Sequence, residues 1–228
     1  LRVLRDANPD GTAANTRVRV TPTARVIPTG PTGPLPMGAE VGQSFDVTLG
    51  AFDVLNLETG AFGADFTGTR VTPTSGAVAV FSGSEASDAP AWTTLAERSC
   101  CADHLEEQLY PRRTAAADYV LVRFPSRSAA LAAAGGPVAA VNEPQFYRVL
   151  NASDAPTRVT TTLPSDQEDP ESPPLTFVLQ PRAHRTLRSF VDFEVHGDGP
   201  IIVATITGSQ ATTGIPATLP GGDPSFVM

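Results

Sequence analysis

The sequence predicts an all-β protein built from two similar sandwich-like units, bridged by an insert with one short helix. Three observations carry that expectation. Proline (22) and glycine (19) are spread through all 228 residues, which breaks up long helices and marks many turns. Between the turns, short segments alternate apolar and polar residues with the period of a half-buried strand. A set of short motifs near the start of the chain returns in the same order near its end.

The elements follow in order. Leu1-Arg2-Val3-Leu4 is a short strand, and Asn8-Pro9-Asp10-Gly11 is a turn. Residues 16–21 alternate, with Val18 and Val20 inward and Arg17 and Arg19 outward. Thr29-Gly30-Pro31-Thr32-Gly33-Pro34 is loop, because proline removes the donors that helix and central strand need. Residues 43–49 place Phe45, Val47 and Leu49 inward. Residues 52–57 and 65–71 read as two further strands, and the apolar run 77–81 as a strand covered on both faces.

The texture changes from residue 87. Thr94-x-x-Glu97 and Asp103-x-x-Glu106 have capping-box spacing, and Leu105 and Leu109 fall at i and i+4. This predicts a two-turn helix ending at Pro111. Residues 119–124 return to strand, and the Ala-rich stretch 128–136 is a short capped helix or an ordered loop.

From Phe146 the opening motifs come back. Arg148-Val149-Leu150 echoes Arg2-Val3-Leu4, and Thr157-Arg158-Val159 echoes Thr16-Arg17-Val18. Phe177-Val178-Leu179 echoes Val47-Thr48-Leu49, and Asp192-Phe193 echoes Asp65-Phe66. The segment opening at Val203 echoes the one opening at Val78. The expected organisation is a first β unit at 1–88, an insert at 89–145 and a second unit at 146–228. The chain opens on Leu1 and closes on the apolar Phe226-Val227-Met228, so it reads as a piece of a longer protein.

Composition narrows the function. A net charge of −8 repels phosphate backbones, so nucleic acid is not expected as a partner. No apolar run is long enough to span a bilayer as a helix. All sixteen basic residues are arginine, which with the many alanines suggests a GC-rich bacterial source.

The residue types that carry chemistry are few. Asp103, His104 and Glu107 on one helix would suit a hydrolase or a metal site, but the capping box already accounts for Asp103 and Glu106. Ser82-Gly83-Ser84 lacks the G-x-S-x-G frame of a nucleophile elbow. The acidic run 166–171 lacks EF-hand spacing and reads as a solvated loop. Trp92 is a candidate protein or glycan contact, or a plug for a sheet edge. The adjacent Cys100 and Cys101 form a vicinal disulfide, stay as thiols, or bond elsewhere; two adjacent cysteines lack the usual spacer of a zinc site. No cofactor is expected.

One stretch carries a resemblance. Thr69-Arg70-Val71, then Val78-Ala79-Val80-Phe81-Ser82-Gly83, then the run from Cys100 through Asp103-His104-Leu105 to Tyr110-Pro111, resemble the IgGFc-binding protein N-terminal domain family. Asp118-Tyr119-Val120-Leu121-Val122 fits its next strand, and Gly222-Asp223-Pro224-Ser225 its closing segment. The resemblance implies a secreted or surface-exposed, non-catalytic β-rich module of a longer protein. The expected function is a binding or adhesion module that contacts a protein, a glycan, or copies of itself through sheet edges; the alternative is a structural subunit of an extracellular filament or assembly. Weak contact candidates are Trp92, Asp103, His104 and Glu107. The family usually places a cysteine just after the "FSG" strand, and Ser84-Glu85-Ala86-Ser87 offers none.

Overall fold

Strand β2 (Thr16–Thr21) buries Thr16, Val18 and Val20 and exposes Arg17 and Arg19. The alternation is that of a sheet with one face on a core, as the sequence predicts. The structure is a computed structural model and describes residues 2–4, 15–87, 89, 103–216, 218–219 and 225–228. The molecule is all-β, with two compact units. One comprises residues 1–83 and 106–109, the other 84–105 and 110–228. Among the described residues, no helix is long and apolar enough to cross a membrane.

The first unit takes part in two sheets. One has the order β3-β2-β5, with β3 at Phe45–Leu49 and β5 at Arg70–Pro73. The other has the order β4-β1-β6-β7, with β1 at Arg2–Leu4, β4 at Val54–Asn56, β6 at Ala79–Ser87 and β7 at Asp103–Gln108. Val18, Val20, Val26, Val47, Leu49, Leu55 and Leu57 form its core. Residues 78–82 are half-buried rather than fully covered.

The second unit is organised on one long strand, β13 (Phe193–Thr207). The sheet order is β11-β10-β13-β9-β12, with β9 at Gln145–Asn151, β10 at Thr157–Pro164, β11 at Pro174–Leu179 and β12 at His184–Ser189. Strands β8 (Ala116–Leu121) and β14 (Phe226–Val227) also pair with β13. The register of β13 shifts between His196 and Ile201. A Cβ on Gly197 would lie 2.6 Å from the Gly199 carbonyl oxygen, so this bulge requires glycine. Helix α1 (Arg127–Ala133) starts at Ser126, whose hydroxyl accepts from Ala129 N, and gives way to Gly135 at φ +82°. A second, four-residue helix is α2 (Gln210–Thr213).

The two units share one pairing scheme. In the first, β1 pairs with β4 and β6, and β2 with β3 and β5. In the second, β9 pairs with β12 and the far half of β13, and β10 with β11 and the near half of β13. Thr16 faces Leu49 as Thr157 faces Leu179, and all four side chains are buried. Two motif echoes therefore match residue for residue. Another shifts by two: Val203, opposite Val149, corresponds to Val80, opposite Val3.

The expected helix at 103–111 is corrected: Asp103–Gln108 is a strand. Leu105, Glu107 and Leu109 are half-buried, and His104, Glu106 and Gln108 are exposed. A four-residue spacing fits one face of a strand as well as one face of a helix. A two-turn helix is marginal alone, whereas pairing beside β6 supplies hydrogen bonds such as Leu109 N to Val80 O at 2.8 Å. The half-burial sets a modest cost: Leu105→Ala is expected to lower stability by about 1 kcal/mol in denaturant unfolding.

Candidate functional site

The β3–β4 connection is a tight turn, where the sequence suggests continuous strand from Phe52. Asp53 N donates to Gly50 O at 3.3 Å, and Gly50 N donates to the Asp53 carboxylate at 2.7 Å. These two bonds close the turn and force Phe52 to φ +65°. A bulky L-residue rarely takes this conformation, which costs about 1–2 kcal/mol. Phe52 is also 75% exposed, and Val54, two residues on, is 56% exposed. Water around both side chains adds a second cost.

Beside this turn lies a cleft of about 410 Å³. Its walls are Val47, Thr48 and Leu49 of β3 and Asp53, Val54 and Leu55 at β4, facing Thr32, Gly33 and Pro34. The facing loop is held in shape by its own hydrogen bonds. Thr29 N donates to Leu35 O at 3.0 Å, and Thr29 Oγ1 accepts from Leu35 N at 2.9 Å. A Cβ on Gly33 would fall 2.3 Å from Thr29 Oγ1, so glycine is needed there. The cleft is preformed, which lowers the entropic cost of filling it.

A second cleft, of about 310 Å³, is polar and lies in the second unit. Arg123, Ser126, Asn142, Glu143 and Asp192 line it. The buried Glu143 carboxylate accepts from Ser128 N at 2.6 Å, Ser128 Oγ at 2.8 Å, Ser126 Oγ at 3.0 Å and Arg127 Nε at 3.1 Å. Burial pushes the Glu143 carboxyl up, and these four hydrogen bonds outweigh it and hold the carboxyl below its ordinary value. These four hydrogen bonds tie the carboxylate to the start of α1, so the cluster anchors that helix.

Among the described residues, those singled out in sequence lie on two faces of one strand. Strand β7 places Asp103 and Glu107 on one face and His104 on the other, whereas a helix would have gathered all three. The helical clustering that the sequence suggested for Asp103, His104 and Glu107 is therefore not the arrangement seen. Neither cleft is lined by them. Trp92, Cys100 and Cys101 lie outside the described residues, and so do Thr94 and Glu97. Phe52 and Val54 escaped the sequence reading. The available signal was Gly50 three residues before Asp53, a spacing that lets a side-chain carboxylate close a turn.

A family model described as IgGFc binding protein matches residues 11–228, nearly the whole chain. No curated protein and no solved structure matches it.

Proposed function

Because this chain belongs to the IgGFc-binding protein family, we propose that it is a non-catalytic extracellular binding module of a larger protein, and that it grips a protein partner with Phe52, Val54 and the adjoining cleft. Family membership supports an extracellular binding module. The observation that carries the finer reading is Phe52, an exposed aromatic ring in a strained conformation beside a preformed cleft. Strained backbone concentrates at functional positions, and exposed aromatic anchors dominate protein interfaces. Trp92, Asp103, His104 and Glu107 are secondary contact candidates. A Cys100–Cys101 bond stays a proposal that intact mass before and after reduction tests directly.

The test is binding of the 228-residue chain to immobilised immunoglobulin Fc, the ligand class in the family's description, beside a glycan array. Phe52→Gly removes the ring and relieves the positive φ. It is expected to raise stability by about 1 kcal/mol while weakening protein binding by about tenfold or more. Binding that survives Phe52→Gly unchanged would move the site away from this cleft. Saturable binding to glycans but not to Fc would replace a protein ligand by a carbohydrate one.

A further inference from the structure

The strained turn occurs twice. Among the described residues, Phe52 and Arg182 are the two non-glycine positions with positive φ, at +65° and +64°. Each is the third residue of a β-turn, closed by Asp53 N to Gly50 O in one unit and Ala183 N to Gln180 O (2.9 Å) in the other. Each turn follows the strand that ends in Leu49 or Leu179, the residues paired with Thr16 and Thr157. They are therefore the same position in the shared pairing scheme. Glycine takes this conformation without strain, and neither copy uses it. Both copies keep a long side chain where the backbone resists one.

What the side chain offers differs between the copies. The first presents Phe52, then Val54 and Leu55. Three residues at the same offset in the second are Arg182, His184 and Arg185. The Arg185 guanidinium lies 4.7 Å from the centre of the Phe177 ring, stacked on an aromatic face instead of an acid. Among the described residues, neither Arg182 nor Arg185 is paired with a carboxylate. The acidic loop 166–171 joins β12 at its other end, through Gln167 Nε2 donating to Arg188 O. That is about 16 Å along the strand from the turn, so Arg182 and Arg185, three residues apart in sequence, lie toward the end of β12 away from the acidic loop in a chain of net charge −8.

We propose that this turn and the start of β12 form a second ligand site, which takes an acidic, extended segment of a partner protein. Two arguments select that occupant. Planar guanidinium groups match carboxylates in a bidentate fork. Among the described residues β12 pairs with β9 alone. Of the main-chain groups it turns away from β9, Arg188 O is held by Gln167, so the stretch about Thr186 is the part of the edge that can align a peptide strand. Arg182 and Arg185 bind the carboxylates, and the strand edge aligns the peptide. The site stands on this geometry and does not depend on which ligand the first unit takes.

The experiment uses fluorescence anisotropy with the full chain, a short labelled glutamate-rich peptide, the same peptide with glutamine for glutamate, and a heparin oligosaccharide. Wild type is expected to bind the acidic peptide, more weakly as salt rises, and to bind the glutamine peptide far less. Arg182→Gly should raise Kd by about tenfold, Arg182→Lys by less, and Phe52→Gly not at all. Arg182→Gly relieves the positive φ, so its melting temperature should not fall, and lost binding then reports the lost side chain. The proposal is overturned by wild type failing to bind the acidic peptide, by Arg182→Gly binding it as wild type does, or by equal binding of the glutamine peptide. Tighter binding of heparin than of the peptide would overturn it in favour of a glycan site. Phe52→Gly that loses Fc binding but keeps the acidic peptide separates the two sites.

Discussion

Glu143→Ala is expected to destabilise the protein by about 3–5 kcal/mol, the cost of removing one partner from a buried charge pair. The Glu143 side chain is 5% exposed and that of Arg127 is 23% exposed. Removal takes the carboxylate acceptor from Arg127 Nε, Ser128 N and the hydroxyls of Ser126 and Ser128, and a buried donor that loses an acceptor carries a cost. Arg127 also donates to Gly208 O at 2.6 Å, so the loss reaches the segment before α2. Urea unfolding measures the effect. A loss under about 1 kcal/mol would show that water replaces the carboxylate at no great cost.

The same group sets a pH dependence. The Glu143 carboxyl is held below its ordinary value of 4.5 in the folded state. A depressed acid contributes stability that is fully present above the unfolded value and is lost as pH falls through the folded one. Wild type should therefore lose stability as pH drops below about 4.5, and Glu143→Gln should flatten that part of the profile. An unchanged acid limb in Glu143→Gln would assign the acid sensitivity to other carboxylates.

Phe193→Ala carries the second large expected effect, about 3–5 kcal/mol. Phe193 is buried, and its ring meets that of the fully buried Tyr147 edge-on, with centroids 5.0 Å apart and planes at 87°. Truncation removes this aromatic pair and opens a cavity in the core built by Val149, Val159, Leu163 and Val195. Phe193 begins β13, the strand that β8, β9, β10 and β14 all join. Guanidinium unfolding followed by tyrosine fluorescence reads the loss. A change within about 0.5 kcal/mol would mean that the neighbouring side chains collapse into the space.

Much of the architecture was legible because strand alternation is local. Val18 and Val20 turn inward and Arg17 and Arg19 outward for reasons written in six residues. Two of the echoed motifs sit in like pairings, Thr16 opposite Leu49 and Thr157 opposite Leu179. The family resemblance around residues 66–125 extends to a match over residues 11–228. Failure came where one pattern suits two structures. Leu105 and Leu109 share a face in helix and strand alike, and only β6 decides between them. The candidate site was less legible. Phe52 reads as one more strand hydrophobe, because its positive φ comes from hydrogen bonds that close a turn around it. Glu143, between Asn142 and Pro144, reads as an ordinary loop acid, because its four donors lie about 15 residues upstream.

The sequence by itself determined the all-β class and the membership of the family. Those properties rest on composition, on period-two alternation and on motifs that need no partner segment to be recognised. Tertiary structure alone decided that β7 is a strand, that Asp103 and Glu107 face away from His104, and that Phe52 and Arg182 occupy equivalent strained turns. Each of these depends on hydrogen bonds or core contacts between residues that are distant in sequence or bent out of their usual conformation. A one-dimensional pattern does not record the neighbour that settles a choice between two locally acceptable conformations.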